Sequence, residues 1–167
     1  MRICNLSSGS DGNLTYLECG KTKVLIDDGL SCKETIKRLC LLGVSPVDID
    51  AVLVTHEHTD HIKGIDNLCF KYNIPVYVHE DGLTSLENKL TKHIKLIPFK
   101  DNGFEVGSIG VQSFAVPHDV KRCTGYSFYE NQKKISIVTD LGHTTTEIIK
   151  NLAGSTLVYL EANHDVQ

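Results

Sequence analysis

No stretch of this 167-residue chain approaches the ~20 consecutive apolar residues of a helical membrane span, so no membrane association is expected. Met1–Ser10 holds one arginine and no long apolar run, so a secretory signal is not expected. Surplus positive charge is missing. The formal net charge is −4 and the isoelectric point is near 6.0, which counts against a dedicated nucleic-acid binder with a basic footprint. The cysteines Cys4, Cys19, Cys32, Cys40, Cys69 and Cys123 contain no C-x-x-C pair. Without that knuckle they read as reduced thiols, packed as small apolar side chains in a cytoplasmic protein. Low-complexity tracts, linkers and internal repeats are absent as well.

What is present is the composition of an ordinary globular protein: 41% hydrophobic and 23% charged residues, enough to bury a core without disulfides. The length fits one domain over residues 1–167. Basic residues occur in local groups (Lys89, Lys92, Lys95 and Lys100; Lys121 and Arg122; Lys133 and Lys134), and each group alone reads as a solvated face.

Strand-like and helix-like segments alternate along the chain. Arg2–Leu6, Leu14–Glu18 and Lys23–Ile26 read as strands, the last two as a hairpin, and the loop Ser7–Asn13 has Gly9 and Gly12 to turn the backbone. Cys32–Leu42 has helical spacing and stops at Gly43. Ala51-Val52-Leu53-Val54-Thr55 is a short continuous apolar run, as in a central strand buried on both faces. Helices are expected over Ile62–Tyr72, Asp81–Lys89 and Thr144–Leu152, the last with a threonine cap. Further strands are expected at Ile74–Val78, over Glu105–Val116 with a turn at residues 107–110, in the hairpin Tyr126–Tyr129/Lys134–Val138, and at Thr156–Glu161. Such a mixture implies sheets covered by helices.

The strongest chemical signal is His56-Glu57-His58-Thr59-Asp60-His61. Three imidazoles and a carboxylate follow directly on the buried strand. Alternation puts His56 and His58 on one side, while Asp60 and His61 fall at the next turn and can serve a neighbouring position. Imidazole nitrogen and carboxylate oxygen suit zinc, manganese or iron. Packing has no use for four adjacent titratable groups, and burying them unpaired is costly.

This cluster resembles the metallo-β-lactamase fold superfamily. Asp27 in Leu25-Ile26-Asp27, His118 after Pro117, and Asp140 in Val138-Thr139-Asp140 match its other motifs in chain order. Ser8-Gly9-Ser10-Asp11-Gly12-Asn13, Val116-Pro117-His118-Asp119 and Glu161-Ala162-Asn163-His164-Asp165 are similar to its YycJ/WalJ-like branch, which is associated with exonuclease activity. The resemblance implies an α+β fold, a four-layer αββα β-sandwich flanked by helices. It implies two divalent ions, zinc foremost: His56, His58 and His118 on the first, Asp60 and His61 on the second, and Asp140 bridging. Asp60 or Asp140 would also accept or steer a proton. Asp27 would hydrogen-bond to the ligands and fix their orientation.

Two departures stand out. Asp28 occupies a position that is usually small in the family, and is expected to face solvent or act as a cap. The family's last histidine ligand lies beyond Gln167, so the C-terminal part of the fold is expected to be incomplete and the second site one ligand short. His143, His164 or another chain would supply it, and an exposed apolar surface would favour self-association. Asp119 is expected to orient an imidazole or lie exposed, His79 to be structural or surface, and His93 to be exposed. Three functions compete at this stage: a metal-dependent phosphodiesterase or exonuclease on DNA or RNA; a small-molecule hydrolase of thioesters or lactones; and an inactive metal-binding or assembly module.

Overall fold

The run Ala51–Val54 is apolar at every position because both of its faces are covered. In a computed structural model describing residues 1–161, it lies in a six-stranded sheet whose spatial order is its chain order. The strands are β1 (Arg2–Ser7), β2 (Leu14–Cys19), β3 (Thr22–Ile26), β4 (Ala51–Leu53), β5 (Val76–His79) and β6 (Leu96–Phe99). β1 to β3 pair antiparallel, and β3 to β6 pair parallel. Parallel neighbours need crossovers, and helices supply them. α1 (Cys32–Leu41) precedes β4; α2 (Thr59–Ile62) and α3 (Ile65–Tyr72) precede β5; α4 (Glu80–Glu87) precedes β6.

The second sheet has the order β11-β10-β9-β8-β7, built from β7 (Phe104–Val106), β8 (Ile109–Val116), β9 (Cys123–Glu130), β10 (Lys133–Val138) and β11 (Leu157–Leu160). α5 (Thr146–Leu152) carries the parallel crossover from β10 to β11. Thr145 caps it, accepting a hydrogen bond from Ile148 N at 3.2 Å.

The layers follow from side-chain alternation. Val52 and Val54 join Leu25, Val76 and the helix residues Leu39 and Leu68 in an outer core. Ala51 and Leu53 point the other way, packing with Val24 and Ile26 against Val111, Tyr126, Phe128 and Ile137 of the second sheet. Ile148 of α5 covers the far face with Phe114, Val116 and Val138. The result is helix–sheet–sheet–helix, the expected αββα sandwich. Each large aliphatic side chain so buried contributes about 1.5–3 kcal/mol.

Several boundaries differ from expectation. The helix expected over 62–72 is divided at Gly64, whose N–H donates to the Asp28 carbonyl instead of within the helix; the residue is glycine because a β-carbon there would overlap the Asp28 side chain. β6 forms across Leu96-Ile97-Pro98-Phe99; a proline is tolerated because this is an edge strand. β9 starts at Cys123 rather than Tyr126. All six cysteines are free. Among the described residues no helix is long and apolar enough to cross a membrane. Apolar side chains of β11 and α5 remain exposed, Leu160 and Ile149 among them.

Candidate metal centre

The site lies where the C-terminal ends of strands from both sheets meet. Asp27 follows β3, the His56–His61 segment follows β4, His118 follows β8, and Asp140 follows β10. Local backbone conformation helps to aim them. Asp27 and Asp140 both have positive φ, 60° and 52°, a region aspartate enters more readily than most residues but still at a cost. Gly29 lies so close to the metal loop that a β-carbon there would overlap the Asp60 carbonyl. Gly9 and Gly12 have positive φ, as the expected turn requires.

Three imidazole nitrogens converge. His56 Nε2 lies 3.0 Å from His58 Nδ1, and His118 Nε2 lies 3.3 Å from the same atom. A second group shares His56: Asp140 Oδ2 is 2.7 Å from His61 Nε2 and 3.7 Å from His56 Nε2. Asp60 Oδ2 stands 3.6 Å from His61 Nε2. Either group, His56/His58/His118 or His56/His61/Asp140, has the donor types and spacing to hold a metal ion.

Asp27 sets the orientation of two of these rings. Buried at 1% exposure, it accepts from Thr55 N and Thr55 Oγ1, each at 2.8 Å, and lies 2.8 Å from His61 Nδ1. Since Thr55 donates its hydroxyl proton to Asp27, its oxygen is left to accept from His56 Nδ1, 3.0 Å away. Both Nδ1 atoms are thereby assigned as donors, and both Nε2 atoms face the site.

The electrostatics fit a cation. Burial and the neighbouring His61 push His56 down to about 2, keeping it neutral and its Nε2 lone pair free. Burial alone would lower His61 as well. The charge of Asp27 and the hydrogen bonds to Asp140 and Asp27 outweigh burial and raise it to about 10. Glu161, half-buried nearby, is raised by burial and by Asp140, and accepts from Gly9 N at 2.9 Å.

A family model described as "Beta-lactamase superfamily domain" matches residues 22–165. The chain belongs to that family. It is 35% identical to "Exodeoxyribonuclease YycJ" of Bacillus anthracis and 36% identical to "Exodeoxyribonuclease WalJ" of Streptococcus pneumoniae, over 97% of its own length in each case. It spans 62% of the length of those two relatives. Its fold is similar to that of the metallo-β-lactamase fold protein YhfI from Bacillus subtilis, with a TM-score of 0.76 at 20% identity, covering 93% of this chain and 69% of that one. The fold family implies divalent metal ions, and the histidine–aspartate cluster stands where they would bind.

The structure thus brings together His56, His58, Asp60, His61, His118, Asp140 and, behind them, Asp27. His143 is exposed; His164 lies outside the described residues. Asp28 corrects an expectation. It is fully buried, accepts from Thr35 Oγ1 at 2.5 Å and packs under Gly64 rather than facing solvent. Backbone geometry turns it inward: its N–H donates to the His61 carbonyl and its own carbonyl accepts from Gly64 N. Burial raises its carboxyl to about 7. His79 is structural, buried at the start of α4, where Nδ1 accepts from Asp81 N. Asp119 is exposed yet lies 3.1 Å from His118 Nε2. Asn13, Thr55 and Cys123 carried no assigned role in the sequence. The Asn13 amide stands 2.9 Å from His61 Nε2, and Cys123 Sγ 3.8 Å from His56 Nδ1. Only the Gly12-Asn13 turn hinted at any of them.

Proposed function

We propose that this chain is a metal-dependent phosphodiesterase acting on DNA or RNA, an exonuclease in the manner its relatives' names describe. The carrying observation is the pair of donor groups that share His56, His56/His58/His118 and His56/His61/Asp140. His56, His58 and His118 would hold one divalent ion. Asp60 and His61 would contribute to a second. Asp140 lies between, within 3.7 Å of donors from both groups. Zinc suits a site so rich in imidazole. When bound, such ions supply a hydroxide nucleophile at neutral pH, by lowering the pKa of water from 15.7 to about 7. The chain's own groups do the rest: Asp27 and Thr55 orient His56 and His61, and Asp60 and Asp140 accept or steer a proton at the pocket floor.

The test is cleavage of labelled single-stranded and duplex DNA and RNA, with zinc or manganese added and with chelator as control. Metal-dependent shortening of a labelled strand is expected. Turnover of a thioester or lactone with no cleavage of any nucleic acid would overturn this reading in favour of a small-molecule hydrolase. Metal retention with no hydrolysis of either class would leave a binding module.

A further inference from the structure

We infer that a single nucleic-acid strand approaches the metal centre along a lysine-lined furrow over the helices of the first sheet. This rests on the nucleic-acid reading above. The furrow begins at the site. A cavity of about 340 Å³ is bounded by Asp60, Thr59, Gly29 and Lys63. A second, of about 460 Å³, shares Thr59 and Lys63 and reaches Lys89 and Leu90. A third, of about 610 Å³, shares Leu90 and ends among Lys92, His93 and Lys95. The three hollows adjoin in series, sharing Thr59 and Lys63 and then Leu90 as common wall residues.

Its chemistry suits phosphates. Beyond Thr59 the walls carry Lys63, Lys89, Lys92 and Lys95 against two carboxylates, Asp66 and Glu87. Asp66 is already engaged: its oxygens accept from Thr91 N, Thr91 Oγ1 and Lys92 N at 2.7–3.2 Å, which fixes the loop that presents Lys92. Lys89 is tied to the centre itself. Its ammonium donates to the Glu57 carbonyl at 2.9 Å, between His56 and His58. A phosphate bound at Lys89 would therefore lie beside the metal loop. An aromatic face adjoins the path: Phe70 is 56% exposed, and Lys92 Nζ lies 5.2 Å from its ring centroid. A row of cations beside an exposed ring is how single strands are held without sequence preference, with the phosphates on the lysines and a base on the ring. The net charge of −4 does not reveal this local grouping of lysines.

The experiment measures binding apart from cleavage. A fluorescein-labelled, phosphorothioate-linked oligothymidylate is titrated with the full chain across a salt series, read by anisotropy. Each of Lys63→Gln, Lys89→Gln, Lys92→Gln and Lys95→Gln should reduce the slope of log affinity against log salt by about 0.7, and the four together by about 3. Lys92→Arg should restore the slope. Phe70→Ala should weaken binding roughly tenfold with the slope intact. Lys133→Gln in β10 and Lys150→Gln in α5 should change nothing. A fourfold variant that folds and keeps the original slope would overturn the furrow, as would failure of the unaltered chain to bind the oligonucleotide. Cleavage of nucleic acid with an unaltered slope retires the furrow alone. A lost slope without cleavage retains the furrow and retires the hydrolytic reading.

Discussion

Replacing Asp27 with asparagine keeps the volume of a buried side chain while removing its charge and half of its accepting capacity. Three donors converge on this carboxylate, Thr55 N, Thr55 Oγ1 and His61 Nδ1, all at 2.8 Å. An asparagine oxygen can serve some of them, but its NH₂ must face at least one other donor. A lost buried hydrogen bond costs about 1–3 kcal/mol, and stranding a buried charge about 3–5 kcal/mol. His61, raised to about 10 by a balance in which Asp27 opposes burial, is charged below that pH in the metal-free protein. The stability owed to the Asp27–His61 pair is complete below the unperturbed value of 6.5, declines as pH rises, and is gone above about 10. Asp27→Asn should therefore cost about 3 kcal/mol at pH 6, a melting point lower by roughly 6–12 °C. At pH 9 the loss should be visibly smaller. The assay is thermal melting in chelator at both pH values. Metal affinity should fall by about ten- to a hundredfold, because His56 and His61 lose the group that fixes them. Competition with a zinc-binding dye measures that. Equal losses of melting temperature at pH 6 and pH 9, with metal affinity unchanged, would refute the orienting role of Asp27.

Other expectations follow from the same geometry. His58→Ala should lower the metal content and abolish hydrolysis; full activity in that variant would contradict its place in the first donor group. Gly29→Ala should cost at least about 3 kcal/mol or prevent folding, because its methyl group would overlap the Asp60 carbonyl; a chemical-denaturation midpoint matching the parent would count against that packing. Asp28, raised by burial to about 7, makes the folded state hold a proton that the unfolded chain releases near pH 4. Its contribution to stability is thus full below about pH 4 and declines as pH rises through about 7. Asp28→Asn should flatten that part of the pH–stability curve, and an unchanged profile would show that the carboxyl is not held neutral.

The sequence alone determined the parts whose causes are local. The doubly buried strand is legible in Ala51–Val54, because an apolar residue at every position requires cover on both faces. The His56–His61 cluster is legible because four donors sit within six residues at a strand exit. What it could not reveal depends on residues distant in the chain. Whether Asp28 faces water or core is set by Gly64 and Thr35 packing over it, not by its neighbours in sequence. The division between α2 and α3 is likewise non-local, since Gly64 N donates to the Asp28 carbonyl. The tautomers of His56 and His61 depend on a carboxylate from β3, carried to one of them through Thr55. Lys89, Lys92 and Lys95, whose group reads in the sequence as a solvated face, join Lys63 only when the loop after α4 is set against α2 and α3. Side-chain direction and the convergence of strand ends are products of packing, and the tertiary structure alone decides them.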